Sequence, residues 1–343
     1  MPRSFSTVVA LSFVLAGLVI GSPAFAAGCP GNPAAIGTSR TIVVDPRDHI
    51  RIGSMNYAET LPLADKEVVL TFDDGPLPPH SDRVLQILAS QCVKATYFIV
   101  GIMARAYPDA VRRVYEAGHT VGTHSMSHPI PFRSQGLERS QSQIDGGIAA
   151  TAAALGGEDR LAPFFRFPGF GRTPPVEAYV ASRGLMVWGA DVPADDWHKI
   201  SGHEIAARAL RRLQAKGKGI LLLHDIHART VEALPIILAE LKAHGFRIVH
   251  AVPSSAERPA TVTAADAWRW RARSRPVPPP HAFAMADVQA LAETARPQKT
   301  TQELCSVPRE RTIAAFARNR LAAAHSKPAR ATKMAMPDVH AVR

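Results

Sequence analysis

The stretch TFDDGP, residues 71–76, ends a run of β-forming residues that begins at Val68. Its two adjacent carboxylates, Asp73 and Asp74, therefore stand at the carboxyl end of a predicted strand, and a Gly-Pro turn follows them. One carboxylate of such a pair can bind a cation while its neighbour transfers protons. An Asp-Asp-Gly sequence alone is more often a helix cap or a solvated turn, so its meaning depends on the rest of the chain.

Strand-like and helix-like patterns alternate along the chain from this stretch onward. The predicted strands cover residues 68–72, 95–100, 119–123, 163–167, 186–190, 219–224 and 247–252. The predicted helices lie near residues 81–91, 108–117, 136–155, 175–183, 202–216 and 230–244, with Ser81 and Ser201 as N-caps of the first and fifth. Such alternation indicates a parallel sheet. We predict an α/β fold, a distorted seven-stranded (β/α) barrel, with a doubly wound open sheet as the alternative.

The two ends of the chain differ in composition from this central part. Residues 1–26 predict a cleaved signal peptide, because an apolar segment too short for a membrane span precedes an Ala-x-Ala site. We predict an irregular N-terminal extension over residues 27–66 and the α/β domain over residues 67–253. Residues 254–343 predict a Pro/Ala/Arg-rich tail that is largely disordered. Its 15 Lys/Arg and 7 Asp/Glu carry +8 of the net charge of +11, so the basic excess indicates no specific nucleic-acid partner.

Cysteines and tryptophans outside the predicted strands leave alternatives open. Cys92 lies in an apolar helical context and predicts a buried thiol, whereas Cys29 and Cys305 could pair in an oxidising compartment. The tail contains WRWR at residues 268–271. Alternating Trp and Arg suit polyanions, membrane interfaces or sugar rings, and a segment that docks on the core is the alternative.

Polar side chains follow five of the predicted strands. In barrels of parallel strands, active sites gather at the carboxyl ends of the strands. The side chains at these ends are Asp73 and Asp74, His124 and His128, Arg166, the group Asp191, Asp195, Asp196 and Trp197, and His224. We therefore expect them to meet at one rim of the barrel.

His124 and His128 have the spacing of a metal site. On a helical turn, histidines four residues apart lie on one face. With one carboxylate they form a two-His, one-carboxylate site, which suits catalytic Zn²⁺ and equally Fe(II). The ligands alone do not distinguish these metals. A second carboxylate (Asp73), Arg166 and His224 suit hydrolysis and have no obvious use in oxygen activation.

Five motifs together resemble a known family. They are TFDDGP (71–76), HSMSH (124–128), RFPGFG (166–171), DDW (195–197) and LLLHD (221–225). Over about residues 66–252 the chain resembles the polysaccharide deacetylases of carbohydrate esterase family 4, which include chitin, peptidoglycan and chitooligosaccharide deacetylases. The resemblance implies a distorted seven-stranded barrel and a metal-dependent hydrolase that removes N-acetyl groups from an N-acetylglucosamine-type glycan.

The resemblance also implies roles for the residues on the metal side. Asp74, His124 and His128 would hold a divalent metal, usually zinc, with cobalt or another divalent ion as alternatives. Asp73 would be the general base. Arg166 would orient Asp73 and pair with it, which keeps the carboxylate ionised.

The remaining roles concern the leaving group and the acetyl pocket. The resemblance implies that His224 is the general acid and that Asp196 tunes it. Trp197 and Leu222 would line the pocket for the acetyl methyl. The backbone N–H of Gly169, or of a neighbour, would stabilise the oxyanion.

Two motifs depart from the family pattern. Gly169 stands where many members have a Tyr, so a substrate-contacting aromatic is moved or lost. The DDW motif is lengthened, which leaves open whether Asp191, Asp195 or Asp196 contacts His224; Asp196 is favoured because it directly precedes Trp197.

The sequence leaves more than one function open. The leading hypothesis is a secreted or periplasmic N-deacetylase of peptidoglycan, chitooligosaccharide or exopolysaccharide. The alternatives are an O-acetyl esterase of the xylan type and a non-catalytic glycan-binding protein. The basic tail would add contact with the cell wall or another anionic surface.

Overall fold

The computed structural model describes residues 29–270, in which ten strands and seven α-helices form. The strands are β1 (Thr38–Val44), β2 (Arg51–Ile52), β3 (Glu67–Asp73), β4 (Thr96–Ile99), β5 (Thr120–Thr123), β6 (Phe164–Phe165), β7 (Met186–Trp188), β8 (Val192–Pro193), β9 (Gly219–His224) and β10 (Arg247–Pro253). The helices are α1 (His80–Ser90), α2 (Gly101–Ala106), α3 (Pro108–Glu116), α4 (Leu137–Leu155), α5 (Pro174–Ser182), α6 (Gly202–Lys216) and α7 (Ala228–Ala243). No helix of the described part is long and apolar enough to cross a membrane.

The strands of the barrel wall pair in parallel in the order β8, β9, β3, β4, β5, β6, β7, with β2 added beyond β7. The predicted α/β fold and all seven predicted strands are confirmed. The last predicted strand, β10, differs from the expected pattern: it meets only the first two residues of β3 and otherwise pairs with β1. Parallel pairing places the carboxyl ends of β3, β4, β5, β6 and β9 along one edge.

β3 shows how the strand run positions the site. All seven of its residues are buried, because both faces of the sheet are covered. Val68, Leu70 and Phe72 pack in the cluster that contains helices α1, α6 and α7, whereas Val69 packs in the cluster with Trp188. Since side chains alternate between faces along a strand, Asp73 lies on the same face of β3 as Val69.

The six predicted helices are present, and one cap prediction is wrong. Ser201 caps α6, because its hydroxyl accepts the N–H of Glu204 at 3.2 Å. Ser81 does not cap α1, which begins one residue earlier; its hydroxyl instead accepts the N–H of Leu77 at 2.7 Å and donates to the carbonyl of Asp225. The short helix α2 was missed because it follows β4 without a polar break.

The segment 27–66 is more regular than the sequence indicated. It contributes β1, which runs parallel to β10, and β2, which runs parallel to β7. Cys29 forms a disulfide with Cys92, so the prediction of a free thiol at Cys92 is wrong. The two residues are 63 positions apart, a separation that carries no pairing signal. Cys305, like the predicted signal peptide, lies outside the described residues.

The beginning of the predicted tail also docks on the core. Trp268 is 3% exposed, stacks on the ring of His49 at 3.4 Å and donates its indole N–H to Thr263 at 2.8 Å. The position of Trp268 therefore agrees with the alternative that this segment docks on the core. Residues 271–343 lie outside the described part, and the domain boundaries at 67 and 253 stay predictions.

Candidate active site

The structure brings Asp74, His124 and His128 together at the carboxyl edge of the sheet. Asp74 Oδ1 lies 3.5 Å from Nε2 of His124 and 3.2 Å from Nε2 of His128. One ligand atom from each residue falls within 4.8 Å of the others. Asp74 follows β3, and the two histidines belong to the loop after β5, so β3, β4 and β5 set the geometry.

This donor set fits a divalent cation. The Nδ1 atom of His124 lies 2.6 Å from the carbonyl oxygen of Arg166, which makes Nδ1 the protonated nitrogen and leaves Nε2 as the ligand atom. Burial lowers the pKa of His124, so the imidazole is neutral, as a metal ligand must be. Asp74 Oδ1 is buried and accepts no hydrogen bond from the described residues. A cation between these three groups would satisfy that oxygen.

Asp73 lies beside this donor set and is paired with a buried cation. Its Oδ1 accepts a 2.7 Å hydrogen bond from Nη1 of Arg166, whose side chain is fully buried. The same guanidinium donates to the hydroxyl of Thr71 at 2.9 Å and to the carbonyl of Gly189 at 2.8 Å, and it lies 4.2 Å from the ring centre of Phe98. Burial lowers the pKa of Arg166 and the charge of Asp73 raises it. Each side chain therefore neutralises the buried charge of the other, and either charge buried alone would be strongly unfavourable.

His224 stands next to Asp73 in register across β3 and β9, and it is paired with an anion. Its Nδ1 lies 2.7 Å from Oδ1 of Asp196, while Oδ2 of Asp196 accepts the His224 backbone N–H and the hydroxyl of Thr230, both at 2.7 Å. Burial lowers the pKa of His224, but Asp196, assisted by the charges of Asp74 and Asp73, outweighs it and raises the pKa to about 9. A cation held by Asp74 would oppose part of this rise.

The structure distinguishes the three aspartates of the lengthened motif. Asp196 is the one that contacts His224. Asp191 accepts hydrogen bonds from the Ser54 N–H, the Thr60 hydroxyl and the Ile220 N–H, so it joins β2 and β9 to the loop. Asp195 is held away from the site by two arginines of α6, Arg208 and Arg212.

The predicted pocket residues lie around His224 and Arg166. Trp197 is 44% exposed, and its ring stands 5.6 Å from the His224 ring at 79°. Leu222 is buried two residues before His224 on the same face of β9. Gly169 is exposed three residues after Arg166, with φ of +54°, a left-handed conformation that glycine adopts without strain. The pocket roles of the three residues stay predictions.

One buried carboxyl has no role in the sequence interpretation. Asp225 is fully buried, and burial raises its pKa to about 7. A β-carbon at Gly75 would lie 2.1 Å from Oδ1 of Asp225, so only glycine fits behind Asp74. Both residues belong to quoted motifs, TFDDGP and LLLHD, but their contact spans two strands and has no signal in sequence spacing.

The fold and this rim together define a class of protein. A carboxylate-histidine donor set beside an Arg-held carboxylate and an Asp-held histidine is typical of metal-dependent hydrolases on parallel β/α scaffolds. Each group has a use in water activation or leaving-group protonation.

Comparisons with known proteins identify the family within this class. The profile described as polysaccharide deacetylase matches residues 61–188. The chain is 30% identical over 187 residues to a peptidoglycan-N-acetylglucosamine deacetylase of Bacillus cereus, covering 53% of this chain and 67% of that protein. It is 30% identical over 202 residues to a chitooligosaccharide deacetylase of Bradyrhizobium, covering 55% of this chain and 90% of that protein. The solved structure of a peptidoglycan deacetylase of Bdellovibrio bacteriovorus matches with a TM-score of 0.56 and 30% identity. The match covers 64% of this chain and 60% of that one.

The chain therefore belongs to the polysaccharide deacetylase family. It spans 60% of the Bdellovibrio structure and 38% of a peptidoglycan-N-acetylglucosamine deacetylase of Listeria monocytogenes, to which it is 31% identical. The predicted enzyme class, a hydrolase of non-peptide carbon–nitrogen bonds, is confirmed at the level of the family.

Proposed function

We propose that this protein removes N-acetyl groups from an N-acetylglucosamine-type glycan with the help of a divalent metal, zinc in the first instance. One observation carries the proposal: Asp73 and His224 stand in register on neighbouring strands, each paired with a buried opposite charge, beside the Asp74 donor set. Hydrolysis of an amide needs a proton acceptor and a proton donor at one centre. This rim supplies both.

The attacking water would lose its proton to Asp73. A divalent cation held by Asp74, His124 and His128 would acidify water and polarise the acetyl carbonyl. Two contacts support this role of Asp73: its Oδ2 lies 3.7 Å from Nε2 of His124, and its Oδ1 is bonded to Arg166. Arg166 thus orients the carboxylate and leaves one oxygen directed toward the donor set.

The leaving amine would receive its proton from His224. Asp196 outweighs burial and raises the pKa of His224 to about 9, which favours the protonated imidazole. Asp196 binds Nδ1, so the Nε2–H is the group available for donation. The ring of Trp197 beside this imidazole would help to exclude water from the acetyl group.

The proposed substrates are peptidoglycan, chitooligosaccharide or a related exopolysaccharide. The names of the Bacillus cereus and Bradyrhizobium relatives support the first two. We also propose export through a cleaved signal peptide, which is supported by the sequence of residues 1–26 alone. Contact of the basic tail with an anionic surface stays a prediction.

The proposal is tested by acetate release from chitooligosaccharides, peptidoglycan and acetylated xylan. Chelator-treated protein should release acetate from an N-acetylated glycan only after zinc is restored. The Asp73→Asn variant is the matched control, since it should keep the metal and lose turnover. Preference for acetylated xylan would indicate an O-acetyl esterase instead, and zinc-bound protein that acts on none of the three would contradict the proposal.

A further inference from the structure

The loop HSMSH, residues 124–128, is held in an unfavourable backbone conformation. We call it the histidine loop. Ser125 has φ of +67° and His128 has φ of +52°, so two non-glycine residues lie in the left-handed region. Such a conformation is unfavourable for a non-glycine residue and persists only where its surroundings determine it. The contacts around this loop are therefore the place to look for what holds it.

The first contact comes from the start of α2. The N–H of Gly101 donates to the carbonyl of Ser125 at 2.9 Å, and the N–H of Ile102 donates to the carbonyl of Met126 at 2.8 Å. The first N–H groups of a helix have no partner within the helix. Here the histidine loop supplies two of those partners.

The second contact comes from α4, where Gly147 meets the loop backbone directly. A β-carbon at Gly147 would lie 2.7 Å from the carbonyl carbon of Ser125 and 2.8 Å from its oxygen. Glycine inside a helix is less favourable than alanine, so its presence here needs a reason. Because the obstacle is backbone rather than a flexible side chain, only glycine lets α4 approach this closely.

The third contact comes from Gln143, one turn before Gly147 on the same face of α4. Its Oε1 accepts the backbone N–H of Ser127 at 2.9 Å and the Ser127 hydroxyl at 3.2 Å. The N–H of His128 donates to the Ser125 hydroxyl at 3.2 Å, which ties the second metal ligand to the residue that Gly147 supports. The α4 face thus touches both Ser125 and Ser127, between the two histidines.

We propose that Gly147 and Gln143 are positioning residues that set the metal affinity of the site by holding the histidine loop. The inference rests on the proposed metal-dependent function. Residues that orient ligands without touching the metal change metal affinity about 10–100-fold when they are substituted. Gly147 acts by having no β-carbon, which lets the loop backbone approach α4, and Gln143 acts through two hydrogen bonds.

Gly146 supplies the matched control. The three atoms nearest to a β-carbon there all belong to the Met126 side chain, with Cβ at 3.2 Å, Cγ at 3.3 Å and Sδ at 3.5 Å, so none of them is backbone. A methionine side chain adapts more easily than a backbone carbonyl. Gly146→Ala and Gly147→Ala make the same chemical change in the same helix, so their difference compares a contact with the Met126 side chain of the loop and a clash with the Ser125 backbone.

The test is zinc affinity, measured by competition with a chromogenic chelator on the full chain without any glycan. Gly147→Ala should weaken zinc binding about 10–100-fold, and Gln143→Leu about tenfold, while Gly146→Ala should stay within about threefold of wild type. The melting temperature of the zinc-free variants separates positioning from a general loss of stability. If the residues act by positioning, the zinc affinity of a variant should fall while the melting temperature of its zinc-free form stays close to that of the wild type.

Wild-type zinc affinity in Gly147→Ala would overturn the inference. If Gly147→Ala does not fold, Gln143→Leu decides, since an unchanged zinc affinity there has the same meaning. Wild-type protein that binds no zinc would refute the proposed function itself, and with it the basis of this inference. Failure to deacetylate any glycan, with zinc bound, would leave the comparison of the glycine variants valid.

Discussion

Asp73 and His224 occupy equivalent places on neighbouring strands, yet their environments have opposite charge. Asp73 is bonded to the buried guanidinium of Arg166, and His224 to the buried carboxylate of Asp196. An opposite charge nearby favours the ionised form of a titratable group, and Asp196 raises the pKa of His224 in this way against the effect of burial. The comparison teaches that two residues in one register step receive partners of opposite charge, which both come from other strands or loops, and the proposed base and acid roles rest on that difference.

The largest expected effect breaks the base side of this comparison. Asp73→Asn removes the proton acceptor while keeping the size of the side chain, and general base catalysis contributes roughly 10²–10⁴-fold. We expect kcat for deacetylation to fall by about that factor with zinc stoichiometry unchanged. Substantial turnover in a variant with full zinc content would show that Asp73 is not the base.

A smaller effect, dependent on the substrate, tests the acid side. His224→Ala removes the donor for the leaving amine, so N-acetyl substrates should lose about 10²-fold or more in kcat. Activated acetyl esters should lose much less, because their leaving groups depart without a proton. The measurement is kcat on an amide and on an aryl acetate with the same variant, and equal losses would argue against the acid role.

Asp196→Asn should sharpen the comparison by removing the charge beside His224 while keeping a hydrogen-bond partner. The folded pKa of His224 is raised to about 9, above roughly 6.5 in the unfolded chain. Its stabilising contribution is thus complete below the unfolded pKa and is lost as pH rises through about 9. We expect the alkaline limb of the kcat profile to move to lower pH in the variant.

An alkaline limb that stays in place in Asp196→Asn would separate Asp196 from the acid function. The matched control is Asp195→Asn, because Asp195 binds Arg208 and Arg212 rather than His224. That variant should keep the wild-type pH profile, even where the loss of its ion pairs lowers stability.

The smallest expected effect on activity comes from the disulfide, which lies away from the rim. Cys29→Ser opens a link across 63 residues, and in the chain-entropy account a loop of this size stabilises the fold by about 4 kcal/mol. We expect a lower free energy of unfolding in urea with nearly unchanged kcat. A large loss of kcat at a temperature where the variant is folded would show that β1 and β10 help to shape the rim.

Much of the fold could be predicted because its signals are local. The buried run ending at Asp73 and the Ser201 cap each depend on residues close in sequence. β2 and β8, with two residues each, are too short for any periodicity to appear. Ser81 has the residue type of a cap, but a tertiary contact with Asp225 uses its hydroxyl.

The residue types at the strand ends already specified the chemistry of the rim, since parallel strands must bring their carboxyl ends to one edge. The sequence favoured Asp196 as the partner of His224, but the folded chain decided it, because three carboxylates within six residues are chemically alike. The disulfide at Cys92 and the contact of Gly147 with Ser125 also came from the fold. Contacts between distant segments depend on how helices and strands pack. The number of residues between two positions does not determine how far apart they lie in the folded chain.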